Sequence, residues 1–344
     1  MKSQKRSFLL PIASALLLTV CLGGCGKGAG NVKIDDVNFP DYAFRSRIGD
    51  SFDQDKDGYL SRAEIEGVRE IRMDNCGISD MKGLGYFSEL ETLECGANSI
   101  KELDVSANPK LKELDCSVNP LESIDLKANS ELTKLEISSC PMETIDLKNN
   151  PALDTLICKG SSLTSLDIRN NRALTYLDCS DTFLQELDLS NNENLTMLYC
   201  SNSELAHLET SMNPNLTHLF CGSCKLDALY LKNNAELQYL NCSLNHLTSI
   251  DVSKNINLLE LDCSNNRIGK INLARNSLLQ TLNVRAANLG VLDISNNRKL
   301  LSIECDENDL KELDIRENRE LTSLDIDGSV KLIGERDDIN IIRR

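Results

Sequence analysis

The chain has no tryptophan, and only 14 of its 344 residues are Phe or Tyr. Yet 41% of it is hydrophobic. Compact cores of this length draw much of their volume from aromatic rings. Here the volume must come from Leu, Ile, Val, Ala and Cys. Positive charge is also short: 37 Lys and Arg against 53 Asp and Glu leave a formal charge of −16. That balance argues against nucleic acid as a partner, because phosphate binding requires a basic surface. The three histidines are His207, His218 and His246. No Ser-His-Asp order, paired-carboxylate pocket or glycine-rich phosphate loop stands out, so nothing points to an enzyme. What the chain has in excess is cysteine, 14 residues in all, which disulfides, metal or packing must explain.

Residues 1–24 read as a processing signal. Lys2, Lys5 and Arg6 form a positive start, and Phe8 to Val20 is an apolar run of signal-peptide length. Leu22-Gly23-Gly24-Cys25 resembles the lipobox of bacterial lipoproteins: an aliphatic residue, two small residues, then Cys. The resemblance implies that Cys25 is acylated and becomes the mature N-terminus. It also implies an extracytoplasmic, cell-surface protein that meets a bacterial membrane only through that lipid. Residues 25–33 are then a glycine-rich flexible tether. Loss of residues 1–24 removes three positive charges and takes the net charge from −16 to −19.

Residues 34–67 read as a helix–loop–helix cap. Phe44, Ile48 and Phe52 recur at helical spacing before the loop, and Ile65, Val68 and Ile71 continue the apolar pattern after it. Between them, Asp53-Gln54-Asp55-Lys56-Asp57-Gly58-Tyr59-Leu60-Ser61-Arg62-Ala63-Glu64 places acidic oxygens at loop positions 1, 3, 5 and 12. Gly58 stands where the loop turns sharply, and Leu60 is the apolar residue at position 8. This resembles an EF-hand. The resemblance implies calcium as cofactor, held by Asp53, Asp55, Asp57 and Glu64, by the carbonyl of Tyr59, and by Ser61 directly or through water. No second loop accompanies it. Asp325-Ile326-Asp327-Gly328 lacks the later acidic ligand. The expected role is therefore a structural cap.

From Leu90 to Glu320 the chain repeats every 21 residues, eleven times and without a slip, as LxxLxCxxNxLxxLDLSxNxx. Position 1 is always Leu and position 19 always Asn. A 21-residue unit is too short to bury its own aliphatic row, so stacked units must share one core. The pattern resembles a leucine-rich repeat of the short bacterial kind. Residues 68–89 resemble a first, longer repeat, and residues 321–344 a partial repeat followed by a charged cap. The fold expected is a leucine-rich repeat solenoid, a curved parallel β-sheet with short turns on the other face, behind an N-terminal EF-hand-like cap.

Nine cysteines occupy position 6, a column shared with Ile137 and Val284. A site that accepts Cys, Ile or Val is an apolar packing site, so a reduced ladder is expected. The CxxC of Cys221 and Cys224 arises from columns 6 and 9 meeting, not from a redox motif.

Positions 3 and 5 flank the buried Leu of each strand and face solvent. All six aromatics of the eleven repeats lie between residues 176 and 239, and four of them fall in these two columns. The candidate binding patch is Tyr176, Met197, Tyr199, His218, Phe220 and Tyr239, with acids on either side. The competing reading is that such rings only pack on their cross-strand neighbours. The function expected is a non-catalytic, monomeric surface protein that binds a protein or glycan on its concave face. The alternative is a structural envelope spacer with no dedicated ligand.

Overall fold

The computed structural model describes residues 30–344. Cys25 and the expected signal lie outside the described residues. Val32–Lys33 forms a short strand (β1), followed by helix α1 (Tyr42–Phe52), strand β2 (Tyr59–Leu60) and helix α2 (Arg62–Gly67). β1 pairs antiparallel with β2, Val32 opposite Leu60. Regular structure thus begins inside the stretch expected as tether, because the strand at the loop exit takes it as an edge partner.

Strand β3 (Glu70–Arg72) opens the solenoid. Eleven strands follow, from β4 (Thr92–Glu94) to β14 (Ser302–Glu304), and each covers positions 3 to 5 of its repeat. Every neighbouring pair is parallel and in register: Leu93 lies beside Leu114, Leu219 beside Leu240, Leu282 beside Ile303. Residues 312–344 add β15 (Glu312–Asp314), β16 (Ser323–Ile326), β17 (Lys331–Ile333) and β18 (Asn340–Arg343). β16 and β18 extend the main sheet to fourteen strands, while β15 and β17 pair on their own. The stretch expected as a partial repeat and charged cap therefore supplies two further strands of the main sheet. At about 4.8 Å per strand the sheet runs roughly 60 Å.

Five columns explain the winding. Leu or Ile at positions 1, 4 and 11, replaced once by Met142, is almost wholly buried in every repeat, which merges them into one core. Position 19 is an asparagine ladder. Each amide donates to the position-16 and position-19 carbonyls of the preceding repeat; for Asn213 these are Leu189 O at 3.2 Å and Asn192 O at 2.8 Å. Position 8 closes the turn after the strand. In all eleven repeats it has a positive φ, between 50° and 67°, and only Gly160 among these residues is glycine. Position 8 therefore carries left-handed strain that the consensus does not announce. The strain is offset by a rung hydrogen bond, such as Val118 N to Ser138 O at 2.7 Å.

One polar residue enters an aliphatic column. Thr210 stands at position 16, wholly buried, and its hydroxyl donates to Asn234 Oδ1 at 3.0 Å. Asn234 is thereby the ladder asparagine whose carbonyl oxygen has a partner, unlike the other ten. At the far end, buried Asp306 is paired with Arg285 at 3.2 Å and Arg344 at 3.4 Å, and Arg344 also reaches Asp325 at 2.8 Å. The buried charge is thus matched.

Two substitutions test this account by urea unfolding. Asn213→Ala removes two buried hydrogen bonds and is expected to cost about 2 kcal/mol, whereas exposed Asn194→Ala should change stability by less than about 0.5 kcal/mol. Val118→Gly relieves a β-branched residue at φ 53° in an exposed position, and should gain about 1 kcal/mol.

Candidate functional site

The strand face carries the first candidate. Parallel, in-register pairing superposes equal positions of adjacent repeats, so side chains in columns 3 and 5 meet across strands. All six patch residues come together there. Tyr176 packs against Tyr199 at 5.5 Å between ring centroids, and Tyr199 stacks on Phe220 at 4.9 Å and 11°. His218 continues the row, 6.4 Å from Phe220 and 4.5 Å from Tyr239. Met197 lies between Tyr176 and His218 in the same register. The residues are half-buried rather than fully exposed, because each ring covers its neighbour. Burial pushes the His218 imidazole below its ordinary pKa, with Glu260 opposing, and so favours the neutral ring. It pushes the Tyr176 and Tyr199 phenols up, with Asp178 adding to the effect.

The remaining aromatics of the repeats, Phe183 and Tyr230, are the most exposed, at 58% and 70%, and lie off the strand face. Sequence columns identified the row but not its internal stacking. That depends on χ angles and register, which the pattern does not encode.

The second candidate is the loop after α1. Asp41 caps this helix by accepting from Phe44 N at 2.9 Å, and its other oxygen accepts from the N–H and the hydroxyl of Ser79, both at 2.8 Å. One side chain thereby starts the helix and ties it to the first repeat. Phe39, Phe44 and Ile48 are buried beneath it, and Phe52 packs on Phe87 at 5.7 Å. Beyond α1 the carboxylates of Asp53, Asp55 and Asp57 converge, with one oxygen from each within 4.8 Å of the others.

Backbone N–H groups hold them. Asp53 accepts from Asp57 N and Gly58 N at 3.2 and 3.0 Å, and Asp57 accepts from Tyr59 N at 2.8 Å. Lys56, inside the loop, turns its ammonium away to the carbonyls of Gly49 and Asp50. Glu64 is not in the carboxylate cluster. Its oxygens accept from Gln54 N and Ser61 N, each at 2.7 Å, spanning the loop from entry to exit. Hydrogen bonding by Ser61, together with the Gln54 amide, holds the Glu64 carboxyl below its ordinary pKa. The Ser61 hydroxyl caps α2, and Tyr59 lies in β2. Three converging carboxylates are a hard oxygen donor set, and this is the chemistry a calcium ion requires.

The twelve described cysteines are all free, and all but Cys76 are buried. Column 6 packs as an aliphatic column would. Burial pushes its thiols up, Cys305 to about 12, and at Cys116 a hydrogen bond with Cys140 leads and burial adds to it, so they stay protonated and unreactive. Cys140 and Cys224 do the work of the position-9 asparagine. Each thiol donates to the position-6 carbonyl of the preceding repeat at 3.3 Å, where Asn119 uses its amide at 3.0 Å. In a Cys21→Ala/Cys25→Ala variant, only Cys76 should react promptly with Ellman's reagent at pH 8. The other eleven should appear on denaturation, and a native count well above one would contradict a buried free ladder.

No helix among the described residues is long and apolar enough to cross a membrane. No protein-family model matches the sequence, and no curated protein does. Solved structures do. The functional domain of InlJ from Listeria monocytogenes, described as including a cysteine ladder, is 26% identical, with a TM-score of 0.74 over 88% of this chain and 76% of that one. The leucine-rich repeat protein LIC12759 of Leptospira interrogans is 21% identical, with a TM-score of 0.70 over 76% and 74%. The internalin InlF of Listeria monocytogenes is 20% identical, with a TM-score of 0.70 over 89% and 98%. The repeat, its register and these likenesses agree: the fold is a leucine-rich repeat solenoid.

Proposed function

We propose that the protein is a non-catalytic, lipid-anchored surface binding protein that presents its strand face to a protein or glycan. The observation that carries this reading is the continuous row of half-buried rings from Tyr176 to Tyr239 at the middle of a face whose two columns are polar elsewhere except at Ile157. Rings clustered at the centre of a polar surface supply contact area and lose little side-chain entropy on binding. Cys25 would carry the lipid and place the solenoid outside the cytoplasm. Calcium at the Asp53, Asp55 and Asp57 cluster would stabilise the cap rather than touch the ligand, and Glu64 would join it by exchanging its bonds to Gln54 N and Ser61 N.

A structural spacer without a ligand remains the second reading, and it is favoured by the rings' packing on one another. A panel of extracellular proteins and glycans separates the two. A ligand bound by the full chain and lost in Tyr199→Ser/Phe220→Ser, with the circular-dichroism spectrum unchanged, supports binding. A panel on which this variant and the parent behave alike supports the spacer.

The calcium reading has its own test. With a Kd on the order of 10⁻⁴–10⁻³ M, 10 mM calcium should stabilise the cap by about 1.5–3 kcal/mol. Asp53→Ala should abolish that gain. Thermal unfolding that is indifferent to calcium would refute the site.

A further inference from the structure

The ring row has a chemistry that narrows its partner, and the narrowing rests on the binding reading above. Tyr199 has Tyr176 on one side and Phe220 on the other, and His218 lies between Phe220 and Tyr239. Their faces are spent on one another. A sugar ring stacks on an open aromatic face, and the middle of this row offers none. What it offers is ring edges, the Met197 thioether and three tyrosine hydroxyls.

The charges beside the row point the same way. On one side the two columns carry Glu113, Asp115 and Glu136, and on the other Glu260 and Asp262, with Asp178 at the row itself. The cation in these columns of the eleven repeats is Lys134, and their ion pairing is confined to Arg72 with Glu94 at the N-terminal edge. Glu136 registers the crowding. Burial, then the charges of Asp115, Asp178 and Asp74, push its carboxyl above the ordinary range, with Lys134 opposing. From the strand of Glu136 to that of Glu260 is six strand steps, roughly 30 Å, and the ring row fills about 14 Å in the middle.

We propose that the partner is a protein segment lying across the strands, apolar at its centre and carrying Lys or Arg on both sides. Its apolar centre would cover the ring edges, and its cations would meet carboxylates whose one cationic neighbour in these columns is Lys134. Like charges held apart on a fixed scaffold bind the complementary pattern without reorganising, and they reject acidic partners.

The test uses random 16-residue peptides displayed on phage, panned in parallel on the full chain and on Tyr199→Ser/Phe220→Ser, with a glycan array alongside. Peptides specific to the parent chain should be net positive, with Lys or Arg flanking apolar residues. Their affinity should fall at least about tenfold between 50 and 300 mM NaCl, because exposed charge pairs are screened over that range. It should fall similarly in Asp115→Asn/Glu136→Gln/Glu260→Gln/Asp262→Asn, while a scrambled peptide with all its cations at one end binds more weakly. Parent-specific peptides that are neutral or acidic, or that bind regardless of salt, overturn the basic-partner inference and leave the patch standing. A neutral glycan bound by the parent and lost in Tyr199→Ser/Phe220→Ser overturns it in the same way. Peptides held equally by both proteins, or no enrichment on either, overturn the patch as well.

Discussion

Everything in this protein depends on equal positions of successive repeats lying one strand spacing apart. Each 21-residue unit has too little aliphatic surface to fold alone. Its leucines become a core only when the next unit lies in register above them. Register in turn needs a polar tie at the turns, and the position-19 asparagine supplies it with two amide donations to the repeat below. The cost of the arrangement is visible at position 8, where ten non-glycine residues hold a left-handed backbone so that the rung can continue.

The same rule governs composition. A slot repeated at fixed spacing has a fixed volume, so column 6 takes Cys, Ile or Val and excludes rings. The cysteines are thus packing residues, and two of them are also hydrogen-bond substitutes for asparagine. Apart from Phe183 and Tyr230, which project into solvent off the strand face, aromatic residues are left two places. At the N-terminal end, Phe39, Phe44, Phe52 and Phe87 seal the open core beneath α1. On the strand face, register turns isolated rings into a stack whose edges alone look outward.

The two ends show how a solenoid stops. At one, Asp41 serves the helix and the first repeat at once, and the short β1 gives the acidic loop the edge partner that a second loop would otherwise provide. At the other, the regular 21-residue rhythm breaks. Ser323 faces Asn340, only 17 residues on, and the last rung is held by Arg344 between Asp306 and Asp325.

The sequence by itself determined the period, the buried columns, the acidic loop and the place of the aromatic cluster, because a repeat is its own alignment and column identity reports environment. It also foretold that Cys221 and Cys224 belong to two columns rather than to one motif. Tertiary structure alone decided what has no residue-type signature. Position 8 accepts Ala, Val, Leu or Glu, so its positive φ is invisible until the rung geometry is seen. The pairing of β1 with the loop, the strands in 312–344, and the stacking that covers the ring faces all follow from contacts between segments far apart in the chain. Such contacts are set by register and packing, not by local preference.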